Sequence, residues 1–238
     1  MIFGTIESFD QDNHAVVLGS TGIDVALQLG FEAFDTAPSY GNQHEMSFPE
    51  GTRVISKLPF DKFGYDDVIE SFNKEHLPIT DYYIHWPFMN NNFKDEIKGT
   101  WEAFEYLHDK HNIKIGVCNF TEKHLQRLFQ SCSIPPEVNQ FELNLKCQNR
   151  SLIDFCEQHH IEVQSYSSIR RGELEPVQGL SWLLGLGVTP IVRSIDPLRL
   201  KQYQQVADSV TMSEYHIRRL EGYHTGERFC PDPYDIPS

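Results

Sequence analysis

The sequence predicts an α/β protein, a (β/α)8 barrel, and three observations carry that expectation. Short β-like runs alternate with helix-like segments along the chain, and eight such runs can be counted. At 238 residues the chain has the length of one α/β barrel, because such domains reach about 200–250 residues without splitting. Three ionisable side chains end consecutive early runs and a fourth lies just beyond one, at the end where a parallel barrel carries its chemistry.

In chain order, the first strand is expected at residues 2–5 and a short helix at 22–29. The stretch Phe-Glu-Ala-Phe-Asp-Thr-Ala-Pro-Ser-Tyr-Gly-Asn follows at 31–42. Its apolar-rich start reads as a strand over 31–36, and Pro38, Gly41 and Asn42 turn it into a loop that carries Tyr40. The third strand is expected at 53–57. Pro49 and Gly51 punctuate the segment before it, leaving too little chain for an ordinary helix, so the second outer helix is expected to be absent or a single turn. A helix over 65–77 carries Val68, Ile69, Phe72 and Leu77 at helical spacing. Strands are expected at 81–85, 114–118, 137–141, 162–166 and 189–193. Helices are expected at 94–111, 149–159, 178–186 and 197–206. Thr121 is a suitable cap for a helix through Phe129, and Ser213 for one through Leu220. No repeat or low-complexity linker appears, so residues 1–238 are expected to form a single domain. Residues 222–238, with Pro231, Pro233 and Pro237, read as an irregular tail packing over the barrel.

The formal charge of −14 argues against nucleic acid and anionic membrane surfaces as partners, since phosphate-rich surfaces would be repelled. No apolar run has the length of a membrane span, and the N-terminal residues do not read as a signal peptide. Five widely spaced cysteines, an odd number without a Cys-x-x-Cys pair, predict free thiols and a cytoplasmic location. No His/Cys cluster has ligand spacing, so no metal is expected.

Asp35, Lys57 and His85 end consecutive strands, and Tyr40 follows the first of them. A Tyr hydroxyl titrates at about 10 and is a weak donor at neutral pH unless its anion is favoured. A neighbouring Lys would favour it, an Asp would hold that Lys, and a His could bond a carbonyl oxygen. Such a set suits an oxyanion formed by hydride addition. Taken singly, the residues have plainer readings: a turn-capping Asp, a solvated Lys, a packing corner at His-Trp-Pro.

Asp-Thr-Ala-Pro-Ser-Tyr-Gly-Asn, the strand ending in Lys57, and Ile-His-Trp-Pro resemble the catalytic segments of the aldo-keto reductase family, in the family's order. Ile-Gly-Val-Cys-Asn-Phe at 115–120, Val-Asn-Gln-Phe-Glu at 138–142, Gln-Ser-Tyr-Ser at 164–167 and Pro-Ile-Val-Arg-Ser at 190–194 extend the resemblance, which runs from Gly4-Thr5 to about Arg228. It implies reduction of a small aldehyde or ketone with NADPH. Asp35, Tyr40, Lys57 and His85 would be catalytic, with Tyr40 the proton donor, Asp35 and Lys57 tuning it, and His85 orienting the carbonyl. Gly4 and Thr5 would be among the cofactor-binding residues, Tyr166 would stack on the nicotinamide, and Cys118, Asn119 and Gln140 would hold its carboxamide. Arg193, Ser194 and Arg199 would meet the 2′-phosphate, and Trp86 and Phe88 would line the substrate pocket. The rival implication is a catalytically silent NADP(H)-binding barrel acting as a sensor or subunit.

Departures from the family pattern are Cys118 for Ser, Gln43 for Glu and Arg193 for Lys, with shortened loops. In the short segment 168–178, Arg170 or Arg171 is a candidate for the pyrophosphate. A trimmed outer ring predicts uncovered barrel surface and hence a homodimer or reduced stability.

Overall fold

The computed structural model describes residues 1–5, 20–87, 93–209 and 212–235. Eight parallel strands close into a barrel in sequence order: β1 Ile2–Gly4, β2 Ala33–Asp35, β3 Arg53–Leu58, β4 Asp81–Ile84, β5 Lys114–Cys118, β6 Val138–Glu142, β7 Glu162–Tyr166 and β8 Thr189–Val192. β1 pairs with β8, closing the sheet so that no strand edge remains. The described helices are α1 Ser20–Gln28, α2 Tyr65–Asn73, α3 Phe93–His111, α4 Glu122–Phe129, α5 Arg150–Gln158, α6 Pro176–Gly185, α7 Pro197–Ser209 and α8 Glu214–Glu221. All eight expected strands are present.

The outward side chains of the strands pack beneath the helices. Tyr82, Ile84, Ile115, Val117 and Phe141 meet Trp101, Phe104, Leu125, Leu152 and Trp182 in one buried cluster. Inward side chains fill the barrel itself, with Ile2, Ile55, Tyr83, Cys118, Val138 and Ile191 in contact. Gly116 makes room for this filling, because a Cβ there would fall 2.8 Å from the Tyr83 ring. Below that layer, the strand starts form a polar floor. Arg53 forks onto Asp81, which also accepts from the Tyr83 hydroxyl at 3.0 Å, and Lys114 pairs with Glu162 at 2.6 Å. These paired charges lie at the strand starts, away from the rim where the strands finish.

The second outer helix is missing, as expected, and two short 3₁₀ turns, Pro38–Tyr40 and Gln43–Glu45, stand in its place. The surface so vacated is not left bare. Met46 is buried, Phe48 packs against Phe34 with ring centroids 5.0 Å apart, and Phe34, outward-facing on β2, is completely covered. The expected uncovered surface, the ground for a homodimer, is therefore filled at this slot by the loop itself.

Helix α2 stops at Asn73 rather than continuing to Leu77. Pro78 disfavours helical geometry at Leu77, which instead turns back into the core beside Phe34 and Val54. Helix α6 begins two residues before the expected start, with Pro176 in its first turn and Glu175 accepting the Gln178 N–H at 2.8 Å. At α4, Thr121 and His124 form a reciprocal cap, the histidine taking the part more often played by Glu.

Candidate active site

Side chains alternate in and out along each strand, so the last inward residue of every strand reaches one rim. These residues are Gly4, Asp35, Lys57, Cys118, Glu142 and Tyr166, with His85 and Arg193 directly after β4 and β8. Gln140 lies one inward step below Glu142.

Lys57 is the hub. Its side chain is 0 % exposed, and its Nζ donates to Asp35 Oδ1 at 2.7 Å, to the Thr36 carbonyl at 3.1 Å and to the Tyr40 hydroxyl at 3.1 Å. Burial alone favours the neutral amine, but Asp35 and Tyr40 more than offset it and hold the ammonium charged. The Tyr40 turn is closed by Gly41 in the left-handed conformation, at φ 78°, where its lack of a Cβ relieves the usual strain. Burial raises the Tyr40 pKa; Lys57 opposes that rise and Asp35 adds to it. The expected lowering by Lys57 is thus outweighed by burial. His85 lies across from Tyr40, with ring centroids 5.8 Å apart, and its other neighbour is the stacked Phe60 ring at 4.4 Å. Burial, then the Lys57 charge, depress its pKa well below the ordinary histidine value, so the imidazole is neutral. Ser39 Oγ lies 3.4 Å from His85 Nδ1.

The amides read from the sequence as cofactor ligands have protein partners. Gln140 Nε2 donates to Asp35 Oδ2 at 2.8 Å and to Gln164 at 3.2 Å. Asn119, held in a left-handed conformation, donates to the His85 carbonyl at 3.1 Å and accepts the Tyr166 hydroxyl at 2.7 Å. Cys118 is buried, with Sγ 3.8 Å from Gln140 Oε1, and burial pushes its thiol up and keeps it protonated. Gln140 is therefore joined through Asp35 to the Lys57–Tyr40 cluster, a link that no local sequence signal announces. Thr5 accompanies it, donating its hydroxyl to the Asp35 carbonyl at 3.0 Å. Phe60, two residues beyond β3, is a further contact that sequence reading passed over.

Beyond β8, Arg193 and Ser194 are half-buried and Arg199 is exposed in the first turn of α7, with Asp196 3.9 Å away. Ser194 Oγ accepts the Asp196 N–H at 3.0 Å, leaving its own proton to donate. Two guanidiniums, a hydroxyl donor and the start of a 13-residue helix suit a phosphate group, Asp196 being the opposing charge. Trp86 is half-buried next to His85; Phe88 lies outside the described residues.

Arg170 corrects an expectation. It is 1 % exposed and faces the C-terminal tail, pairing with Glu173 at 3.1 Å and Glu227 at 2.6 Å and lying over the Phe229 ring at 4.2 Å. Its charge is thus taken up by protein carboxylates rather than left as a solvated loop charge for the pyrophosphate; the Arg171 side chain lies outside the described residues. The tail then crosses the rim, where the buried Glu142 carboxylate accepts the N–H groups of Phe229 at 2.9 Å and Cys230 at 3.0 Å.

Comparison with known proteins agrees with this geometry. The family profile described as Aldo/keto reductase family matches residues 66–180. A 9,11-endoperoxide prostaglandin H2 reductase of Trypanosoma cruzi (strain CL Brener) is 30% identical over 241 residues, covering 87% of this chain and 83% of that one. The chain belongs to the aldo/keto reductase family. A glyoxal reductase of Bacillus subtilis (strain 168) is 27% identical over 244 residues, covering 90% of this chain and 86% of its own. Among solved structures, an aldo-keto reductase enzyme from a Medee basin deep-sea metagenome library superposes with a TM-score of 0.85 at 27% identity, covering 100% of this chain and 95% of that one. This aldo/keto reductase is accordingly an oxidoreductase built on the (β/α)8 barrel.

Proposed function

We propose that this aldo/keto reductase reduces a small aldehyde or ketone to the alcohol, with NADPH as cofactor and Tyr40 as proton donor. One observation carries the reading. Lys57 donates to the Tyr40 oxygen, so the single phenolic proton remains available to an acceptor in the barrel mouth. NADPH, when bound, supplies the hydride.

As the carbonyl oxygen gains charge, Tyr40 passes its proton to it, and the phenolate left behind faces the Lys57 ammonium. The raised Tyr40 pKa keeps the phenol protonated beforehand. The alkoxide is by far the stronger base, so the transfer stays downhill. Neutral His85 offers an N–H to the same oxygen. Asp35, backed by Gln140, holds Lys57 charged between turns of the cycle. Tyr166, oriented by Asn119, supplies a flat surface for the nicotinamide, with Cys118 beside it and Gly4 and Thr5 on the cofactor's side. Arg193, Ser194 and Arg199 supply donors for the 2′-phosphate, and Trp86 contributes to the substrate wall.

The relative named a glyoxal reductase makes glyoxal a sensible first probe. Tyr40→Phe is expected to lower kcat for NADPH-dependent aldehyde reduction by about 10²–10⁴-fold. Quenching of protein fluorescence by NADPH should persist in that variant. Turnover at the wild-type rate in Tyr40→Phe would refute the assignment, and quenching without turnover in the wild-type protein would favour a binding role.

A further inference from the structure

The turn carrying Tyr40 joins two strands with no α-helix behind it, yet proton delivery needs its hydroxyl held to a fraction of an ångström. Strand β3 grips this turn from both faces. Inside the barrel, Lys57 reaches the Tyr40 oxygen at 3.1 Å. The preceding residue, Ser56, points to the opposite face and is completely buried. Its Oγ accepts the Gln43 Nε2–H at 2.9 Å and donates to Glu75 Oε1 at 2.7 Å. Gln43 is itself buried, three residues beyond Tyr40, and its carbonyl lies 3.1 Å from His76 Nε2. Between the two, Asn42 Nδ2 donates to the Thr5 carbonyl at 2.8 Å.

The polarity of this chain of bonds is fixed. Ser56 has one proton and gives it to Glu75, so its lone pair calls for a donor, and the Gln43 amide is that donor. A carboxylate at position 43 would lack the proton and would face Glu75. Glu75 stands just past the C-terminus of α2, so the turn is tied to a strand and to the exit of a helix at once.

We propose that Gln43, acting through Ser56, is a positioning residue for Tyr40, the outer jaw of a clamp whose inner jaw is Lys57. This role rests on the reading of Tyr40 as the proton donor. The clamp substitutes for the missing helix: it fixes the far end of the turn by hydrogen bonds where most barrels would use helix packing.

The test compares Gln43→Ala, Gln43→Glu, Ser56→Ala and Tyr40→Phe in NADPH-dependent glyoxal reduction, in H2O and in D2O. Loosening the turn by an ångström is worth about 10²-fold in rate, so Gln43→Ala should lose tenfold or more in kcat with little change in KM. Its NADPH affinity, read by fluorescence quenching, should stay within about twofold of wild type, because these bonds of Gln43 and Ser56 run to each other, Glu75 and His76 and to none of the residues assigned to the cofactor. The solvent isotope effect on kcat should rise above the wild-type value, since proton delivery becomes slower relative to hydride transfer; a general loss of folded protein leaves that ratio unchanged. Ser56→Ala should reproduce the pattern, which covers the case of a poorly folding Gln43→Ala, and Gln43→Glu should be no better than Gln43→Ala. Wild-type kcat in folded Gln43→Ala, beside an inactive Tyr40→Phe, overturns the clamp alone. A lowered kcat with an unchanged isotope effect does the same. Full activity in Tyr40→Phe overturns the proton-donor reading and the clamp with it.

Discussion

Lys57 carries three N–H donors, and all three have acceptors: a carboxylate, a carbonyl and the Tyr40 hydroxyl. A buried ammonium tolerates its loss of hydration only when so satisfied, and its counter-ion Asp35 is equally dependent on it. Lys57→Met should therefore leave the Asp35 carboxylate buried without its cation and destabilise the protein by about 3–5 kcal/mol, measured as a shift in the urea midpoint at constant slope. His85 makes a prediction of the opposite kind. Its folded pKa is depressed by burial and by Lys57, so the unfolded chain takes up the proton first as pH falls. Stability is complete above the unfolded value of about 6.5 and declines below it, by up to about 1.4 kcal/mol per pH unit from this one group. His85→Gln should flatten the acid side of a stability–pH curve between the two pKa values, and a curve that keeps its slope there would show that His85 is not the group responsible.

At the scale of elements, the slot behind β2 shows how a helix can be dispensed with. Met46 and Phe48 cover Phe34, and the hydrogen-bonded turn beside them uses Gln43 and Ser56. Met46→Ala should cost about 2–4 kcal/mol, the ordinary loss for truncating a buried Met, with the unfolding midpoint as the measure; a cost below about 0.5 kcal/mol would show that the loop does not carry this packing. The missing helix was legible from Pro49, Gly51 and the shortness of the segment. What replaced it was not, since Met46 and Phe48 bear no periodic relation to the surface they cover. The strands, and the rim positions of Asp35, Lys57, His85, Cys118 and Tyr166, could be read because each strand is short and ends at a recognisable turn. The partners of those rim residues could not. Gln140 and Asp35 are 105 residues apart, and a sequence says that an amide reaches the rim without saying which carboxylate it meets. Likewise Arg170 was visible as a charge on a short loop, but its engagement with Glu227, 57 residues on, depends on how the tail returns.

For the molecule as a whole, that return joins the last described residues to the barrel rim. Arg170, Glu227 and Lys146 link the segment after β7, the segment after β6 and the tail, while Glu142 holds the Phe229 and Cys230 amides from inside the rim. Tyr234 extends the contact by donating its hydroxyl to Glu122 at 2.7 Å. In a chain of net charge −14, a buried Arg that gathers two carboxylates is a concentrated source of cohesion. Arg170→Ala removes the guanidinium from Glu173, Glu227 and the Phe229 ring together, and leaves the Glu142 bonds, with the Lys146 and Tyr234 contacts, to hold the tail. Local opening of a segment is governed by the contacts that must break, so the amides of Phe229 and Cys230 should exchange with solvent deuterium at least tenfold faster in that variant. Amides of β3 and β4, across the barrel, should keep their wild-type rates. Glu142→Gln should speed the same two amides by a different route, because an amide oxygen accepts less strongly than a carboxylate. Faster exchange at Phe229 and Cys230 in both variants, with the barrel strands unchanged, would identify the tail as a unit latched at two points; exchange rising everywhere in step would mean that the latch and the barrel unfold as one.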